Sequence, residues 1–401
     1  MKRYLIYILS IILLYLYVFA PPFRILPFGI DKPFIIFSLF YITHNKKWNY
    51  LINKFRFEFF SLTLILGWSF FTTIVNGMSF SLVPNDLLLL IEVIPCSYAL
   101  YLYFSHHEYV KTDEVILISA IIGSFITFYL LLNPMQAYFL KTEILKYPEH
   151  LIDRFLYRGY GLSDGLLFSY PVIQGFCLSF LILGLYKRKI YYIFSIFFIV
   201  AILSNSRSGL VPIFIGLTIL LIKNSKAFVK LTFVFILLGL SLFTTIIAFL
   251  EDNVILNTAV EWGMSAFNII GDFIAGNKAE NFDTLLSDMV IWPDSFLNWI
   301  IGNGKYLFTG YNQSTDVGYF LRLNYGGIIY VMLFVILMFY MAIRIFNTNR
   351  IMSLVLFSSI LLLNYKADFF VVNPGSRFFF LIYTVCILDS SLFTPKHIQK
   401  I

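Results

Sequence analysis

The sequence predicts an all-α, polytopic integral membrane protein with about twelve transmembrane helices and two large extracytoplasmic loops. Three observations predict it. Of 401 residues, 59% are apolar and only 13% charged, with a mean hydropathy of +0.82, which excludes the water-soluble globular classes. Apolar runs near the ~20 residues needed to cross a bilayer recur along the whole chain. The charged residues collect between those runs and are sorted by side. Residues 1–401 therefore read as a single membrane domain.

In chain order the predicted spans are 4–20, 25–43, 58–75, 86–104, 115–132, 166–186, 190–204, 208–222, 228–250, 317–343, 351–365 and 376–393. The first resembles a secretion signal, with Lys2 and Arg3 before an apolar run. Pro21 and Pro22 follow Ala20, however, and no small-x-small site precedes them, so this run is read as a retained span. Cys96, Cys177 and Cys386 each fall inside a predicted span, which argues against a disulfide framework or a thiolate metal site.

The net charge of +7 is a topology signal rather than a nucleic-acid footprint. With the amino terminus inside, Lys46, Lys47, Lys54, Arg56, Lys111, Arg188, Lys223, Lys226, Arg344 and Arg350 fall in short inner loops, and both termini are cytoplasmic. The long loops are 133–165 and 251–316, and unstructured connections of that size are uncommon unless functional. Apolar residues at helical spacing from Tyr138 to Tyr157 predict a surface helix in the first. A similar pattern from Ala259 to Ile274 predicts one in the second. No repeat of fixed period and no match between halves is present.

Arg207 lies in the short turn Leu203-Ser-Asn-Ser-Arg-Ser-Gly209. It reads either as a snorkelling side chain or as the centre of an anion site, with Ser204, Ser206 and Ser208 as hydroxyl donors and a helix start behind them. Arg154 and Arg158 stand one helical turn apart before Gly159-Tyr-Gly-Leu-Ser-Asp-Gly165, as a solvated pair or as two forked donors for a diphosphate. Asp316 opens the tenth span, as a helix cap or as a carboxylate that takes a proton from a sugar hydroxyl. Tyr311, Asn312 and Arg322 flank it and are grouped with it as substrate-binding residues. Glu92 sits inside an apolar run beside Pro95, where an ionisable group faces a partner or a cavity. Gln174, Lys366, Asp368 and Arg377 lie near the outer ends of their spans. Trp262, Trp292, Trp299, Tyr306 and Tyr311 suit either sugar stacking or the headgroup belt.

Absences narrow the chemistry. The outer loops hold no Asp-x-Asp pair, the chain holds no Walker-type lysine loop, and His150 alone of the histidines maps outside. Neither a zinc site nor a histidine triad is expected, and no cofactor is called for.

These residues resemble the bacterial O-antigen polymerase family and, more distantly, the O-antigen ligases. The resemblance rests on two large outer loops, Ser206 to Gly209, Ile301-Gly-Asn-Gly304, Thr315-Asp-Val-Gly-Tyr319 and Asn324-Tyr-Gly-Gly327. It also rests on the Arg, ten residues, Gly pattern from Arg154 to Gly165. Ligases place a histidine where the same spacing here runs from Asp316 to Gly327, which favours polymerase over ligase. The resemblance implies glycosyl transfer at the outer face of the inner membrane between undecaprenyl-diphosphate-linked repeat units. Arg207 and Arg154 or Arg158 would meet the diphosphate, and Asp316 the acceptor. It implies membrane lipids, a flippase and a chain-length regulator as partners. A ligase, a capsule polymerase and a flippase or other transporter stand as the alternatives.

Overall fold

The computed structural model describes residues 2–27, 29–147, 152, 158–164, 168–186, 188–233, 258, 261, 289–308, 314–389 and 392–393. The described chain is helical, without a named strand. Its helices are α1 (Lys2–Phe19), α2 (Asp31–His44), α3 (Trp48–Lys54), α4 (Arg56–Asn76), α5 (Val83–Leu88), α6 (Ile94–Ser105), α7 (Thr112–Leu132), α8 (Pro134–Phe139), α9 (Ser169–Ile182), α10 (Ser195–Asn205), α11 (Leu210–Lys223), α12 (Phe296–Ile301), α13 (Gly318–Thr348), α14 (Arg350–Leu363) and α15 (Pro374–Leu388). A π-helical turn, Leu89–Val93, joins α5 to α6, and a second, Leu140–Ile144, extends α8. Among the described residues five helices are long and apolar enough to cross a membrane: Lys2–Phe19, Arg56–Asn76, Val83–Ser105, Thr112–Leu132 and Gly318–Thr348. Four more apolar helices are shorter.

Two expectations are corrected. The predicted run at 25–43 becomes helical only at Asp31, because the residues before it are spent elsewhere: Phe23 forms a bridge with Leu145, and Arg24 N–H donates to the Ile144 carbonyl at 2.8 Å. The same contact ends the surface helix expected from Tyr138 to Tyr157. Leu145 turns to extended backbone (ψ 152°) after Ile144, where Lys146 N–H donates to Pro22 at 2.7 Å. Residues 153–157, most of the run 228–250 and most of 259–274 lie outside the described residues.

The chain forms two compact units. The first comprises Met1–Phe34, Leu102–Ile269 and Asp389–Ile401. Its centre is α9, every residue of which is buried. α9 approaches α11 closely because small residues meet at the crossing. A Cβ on Gly175 would stand 2.1 Å from the Gly209 carbonyl oxygen, and one on Gly216 would stand 2.3 Å from Ser179 Oγ.

The second unit comprises Ile35–Tyr101 and Ile270–Leu388, with α13 as its axis against α4, α12, α14 and α15. α13 is interrupted at Gly327 (φ 69°, ψ −172°). The carbonyls freed there find outside donors: Asn303 N–H to Asn324 (2.8 Å), Gly304 N–H to Tyr325 (3.0 Å) and Trp68 Nε1 to Gly326 (2.7 Å). Glycine is required on both sides of the contact. A Cβ on Gly327 would lie 2.2 Å from the Ile300 oxygen, and one on Gly302 would lie 2.2 Å from the Tyr325 oxygen.

Candidate functional site

In the first unit, Tyr160, Gly161 and Leu162 are consecutively left-handed (φ 46°, 54° and 64°). Such backbone costs about 1–3 kcal/mol per non-glycine residue, so the surroundings must hold it. Tyr160 N–H donates to Asn205 Oδ1 (3.1 Å), Ser163 N–H to the Tyr160 carbonyl (2.8 Å) and Asp164 N–H to the Phe19 carbonyl (3.0 Å). The Tyr15 hydroxyl donates to the Gly161 carbonyl and the Tyr147 hydroxyl to that of Ser163. The glycines fit only as glycines: a Cβ on Gly159 would meet Thr127 Cα at 2.9 Å, and one on Gly161 the Tyr170 ring at 2.7 Å. Arg158, two residues before the turn's Tyr160, is buried.

The partner of this turn carries Arg207. α10 ends at Asn205, Ser206 is extended (φ −162°, ψ 136°), and Arg207–Gly209 make one 3-10 turn into α11. Arg207 is half-buried. The three serines expected to face an anion are partly committed within the turn. Ser204 Oγ donates to the Val200 carbonyl at 2.8 Å, and Ser206 and Ser208 share a hydroxyl–hydroxyl bond at 2.9 Å. Asn205 is the link, since its Nδ2 donates to the Ala201 carbonyl (2.8 Å) while its Oδ1 receives Tyr160 N–H. The segments bearing Arg158 and Arg207 are thereby joined.

Lys141, on the π-helical turn after α8, is also buried. Burial and, second to it, the positive charge of Arg158 together lower its pKa to about 7. An ammonium and a guanidinium that sense one another in a desolvated place attract a multiply charged anion.

In the second unit, Arg322 is the hub of a buried chain. Its Nε donates to Asp368 Oδ1 (2.8 Å) and its Nη1 to the Tyr330 hydroxyl (3.3 Å), which in turn donates to Asp86 Oδ2. Tyr306 adds a long bond to Asp368 Oδ2 at 3.4 Å, and burial with the Asp368 charge raises the phenol's pKa. Among the described residues Arg322 Nη2 has no hydrogen-bond partner, and the guanidinium carbon lies 4.0 Å from the Phe334 ring centre. Beside it a cavity of about 170 Å³ follows α13 and α14, lined by Val331, Phe334, Met338, Phe357 and Ile360 with Tyr319, Arg322 and Asn364.

Glu92 lies in the π-helical turn before α6, and its Oε1 accepts from Arg377 Nε at 2.6 Å, with both side chains buried. A third pair, Glu58 with Arg344, is joined by the Tyr383 hydroxyl. Asp316 is exposed. It is not the cap of α13: the residue before the helix is Val317, and Thr315 Oγ1 receives Val317 N–H (3.1 Å) while donating to the Met289 carbonyl (2.7 Å). Desolvation raises the Asp316 pKa, partly offset by the Lys366 ammonium.

Arg158 and Arg207 thus belong to the first unit, and Glu92, Asp316 and Arg322 to the second. Arg154, Tyr311 and Asn312 lie outside the described residues. Among the described residues no group of three His, Cys, Asp or Glu is placed to hold a metal ion. Sequence reasoning passed over Asn205, Lys141, Asp86 and Tyr330. Asp86, at the start of an apolar run, was open to the same argument that singled out Glu92. The chain matches no family model, no curated protein and no solved structure.

Proposed function

We propose that the protein is a glycosyltransferase of the O-antigen polymerase type, joining undecaprenyl-diphosphate-linked oligosaccharides at the outer face of a bacterial inner membrane. About twelve spans with both termini cytoplasmic would place the loops 133–165 and 251–316 on that face. The observation that carries the reading is the Tyr160–Asn205 bond, which ties the Arg158 segment to the Arg207 turn beside buried Lys141. In the proposed step a hydroxyl of the incoming repeat unit attacks the anomeric carbon of the growing chain. The bond from that carbon to the diphosphate breaks, and undecaprenyl diphosphate leaves with the electron pair. Arg158, Arg207 and Lys141 stabilise the charge that builds on the leaving diphosphate, a metal-independent arrangement. The acceptor's proton passes to a carboxylate, a role that the exposure and raised pKa of Asp316 suit on chemical grounds. The apolar cavity beside Arg322 suits a hydrocarbon chain of a lipid-linked substrate.

The test is product formation by the purified protein from one defined lipid-linked repeat unit. Arg207→Ala and Arg158→Ala each slow polymer formation on the order of a hundredfold. If variants that insert and melt like the parent still build polymer at the parental rate, the assignment is wrong. A ligase would instead transfer the chain to a lipid A core acceptor.

A second reading, a flippase for lipid-linked glycans, is favoured by one observation: the broken helix α13 with the buried Arg322, Asp368 and Asp86 chain beside its break. Movement of a labelled lipid-linked glycan across a proteoliposome membrane, with no new glycosidic bond, distinguishes it.

A further inference from the structure

The short helix α12 and the residues before it expose large apolar side chains: Phe296 is 81% exposed, Leu297 63% and Trp292 54%. Trp292 stacks on Trp299 with ring centres 5.2 Å apart and planes at 16°, so the two indoles pack face against face as one unit. This is not a loose loop end. Thr72 Oγ1 donates to the Ile301 carbonyl (3.3 Å), Asn76 Nδ2 reaches the Gly302 carbonyl (3.4 Å), and Asn324 Nδ2 donates to the Ile291 carbonyl (2.8 Å). Gly302 also lies against the Tyr325 backbone, where no side chain fits between.

Those bonds set the depth of the segment. Thr72 and Asn76 form the last turns of α4, a helix long and apolar enough to span a membrane, so α12 sits level with the end of that helix. The same turns of α4 expose Phe70, Phe71, Ile74 and Val75, and Phe80 just beyond is exposed as well. Exposed apolar side chains of α12 and of the end of α4 thus occur at the same level. Asp294, exposed, and Asn298, half-buried, edge them. Tryptophan with bulky apolar side chains at the end of a spanning helix is the chemistry of the boundary between headgroups and acyl chains.

We propose that residues 292–301 form a lipid-docking surface that lies in the bilayer interface at the Asn76 end of α4, with Phe296 and Leu297 among the acyl chains and the Trp292–Trp299 pair at headgroup level. The proposal goes beyond the catalytic reading and does not depend on it.

The test uses nitroxide labels on the full-length protein in vesicles of phosphatidylethanolamine and phosphatidylglycerol. The native Cys96, Cys177 and Cys386 are buried, so labels report introduced cysteines. Phe296→Cys and Leu297→Cys alter exposed side chains and preserve the fold; Asp294→Cys serves as the aqueous control. At 296 and 297, collisions with oxygen exceed those with a water-soluble nickel chelate severalfold, and at 294 the order reverses. Nickel-dominated collisions at both apolar positions overturn the proposal. So does protection of them only on adding saccharide, which marks a glycan platform, or only on raising protein concentration, which marks a second copy. A photoreactive phospholipid gives an independent reading: cross-links to 292–301 are expected, and their absence beside cross-links to the exposed face of α4 overturns the proposal.

Discussion

Tyr160 N–H and Asn205 Oδ1 meet at 3.1 Å, both buried, and this bond joins two segments 45 residues apart in sequence. Asn205→Leu leaves the donor orphaned, at about 1–3 kcal/mol. If Arg158 and Arg207 act together, the variant also slows polymer formation by roughly a hundredfold through misplacement, with insertion retained. Product gels and thermal unfolding of the same preparation separate the two effects.

Lys141 makes stability depend on pH. Its pKa falls from the usual 10.5 to about 7 on folding, so between those values the unfolded chain binds the proton more tightly than the folded one. Stability therefore rises with pH across this window, and the penalty is complete below about 7. Lys141→Met flattens that part of the profile, as melting temperatures taken from about pH 6.5 to about pH 10 would show.

The Arg322–Asp368 pair is buried on both sides. Arg322→Met strands the carboxylate and costs about 3–5 kcal/mol, whereas Arg322→Met with Asp368→Leu recovers most of it. Unfolding in graded denaturing detergent gives the ranking, and a double variant no more stable than the single one contradicts it.

Glycines separate by position. Gly327→Ala and Gly302→Ala drive a methyl group into backbone at 2.2 Å and sharply lower the folded yield. Gly67→Ala, in α4 with nothing within 4 Å, is neutral or stabilising by about 0.5–1 kcal/mol. Fluorescence-detected gel filtration of the three variants side by side checks the contrast.

The sequence shows α1, α4 and α7 plainly, because each is one uninterrupted apolar run with its charge confined to the first turn. It does not show where α2 starts, since that depends on Phe23 pairing with Leu145, a partner far along the chain. Glu92 was visible as a buried acid, yet its partner Arg377 lies 285 residues away and no local pattern connects them. The Gly326-Gly327 pair was legible as a motif but not as a break in α13, because what stabilises the break comes from residues 303, 304 and Trp68. Asn205 stood inside the quoted turn, but its importance rests on the left-handed backbone at Tyr160, which no side-chain pattern announces.

The interruption of α13 has a consequence for biogenesis. Asn303, Gly304 and Trp68, which supply donors to the freed carbonyls, all precede residue 324. The ribosome therefore delivers them first, and when α13 leaves the translocon its exposed acceptors have donors already waiting. A circular permutant that puts α13 ahead of Trp68 would have to integrate the same helix with those groups naked in hydrocarbon, at several kcal/mol apiece, and its misintegrated fraction should rise accordingly.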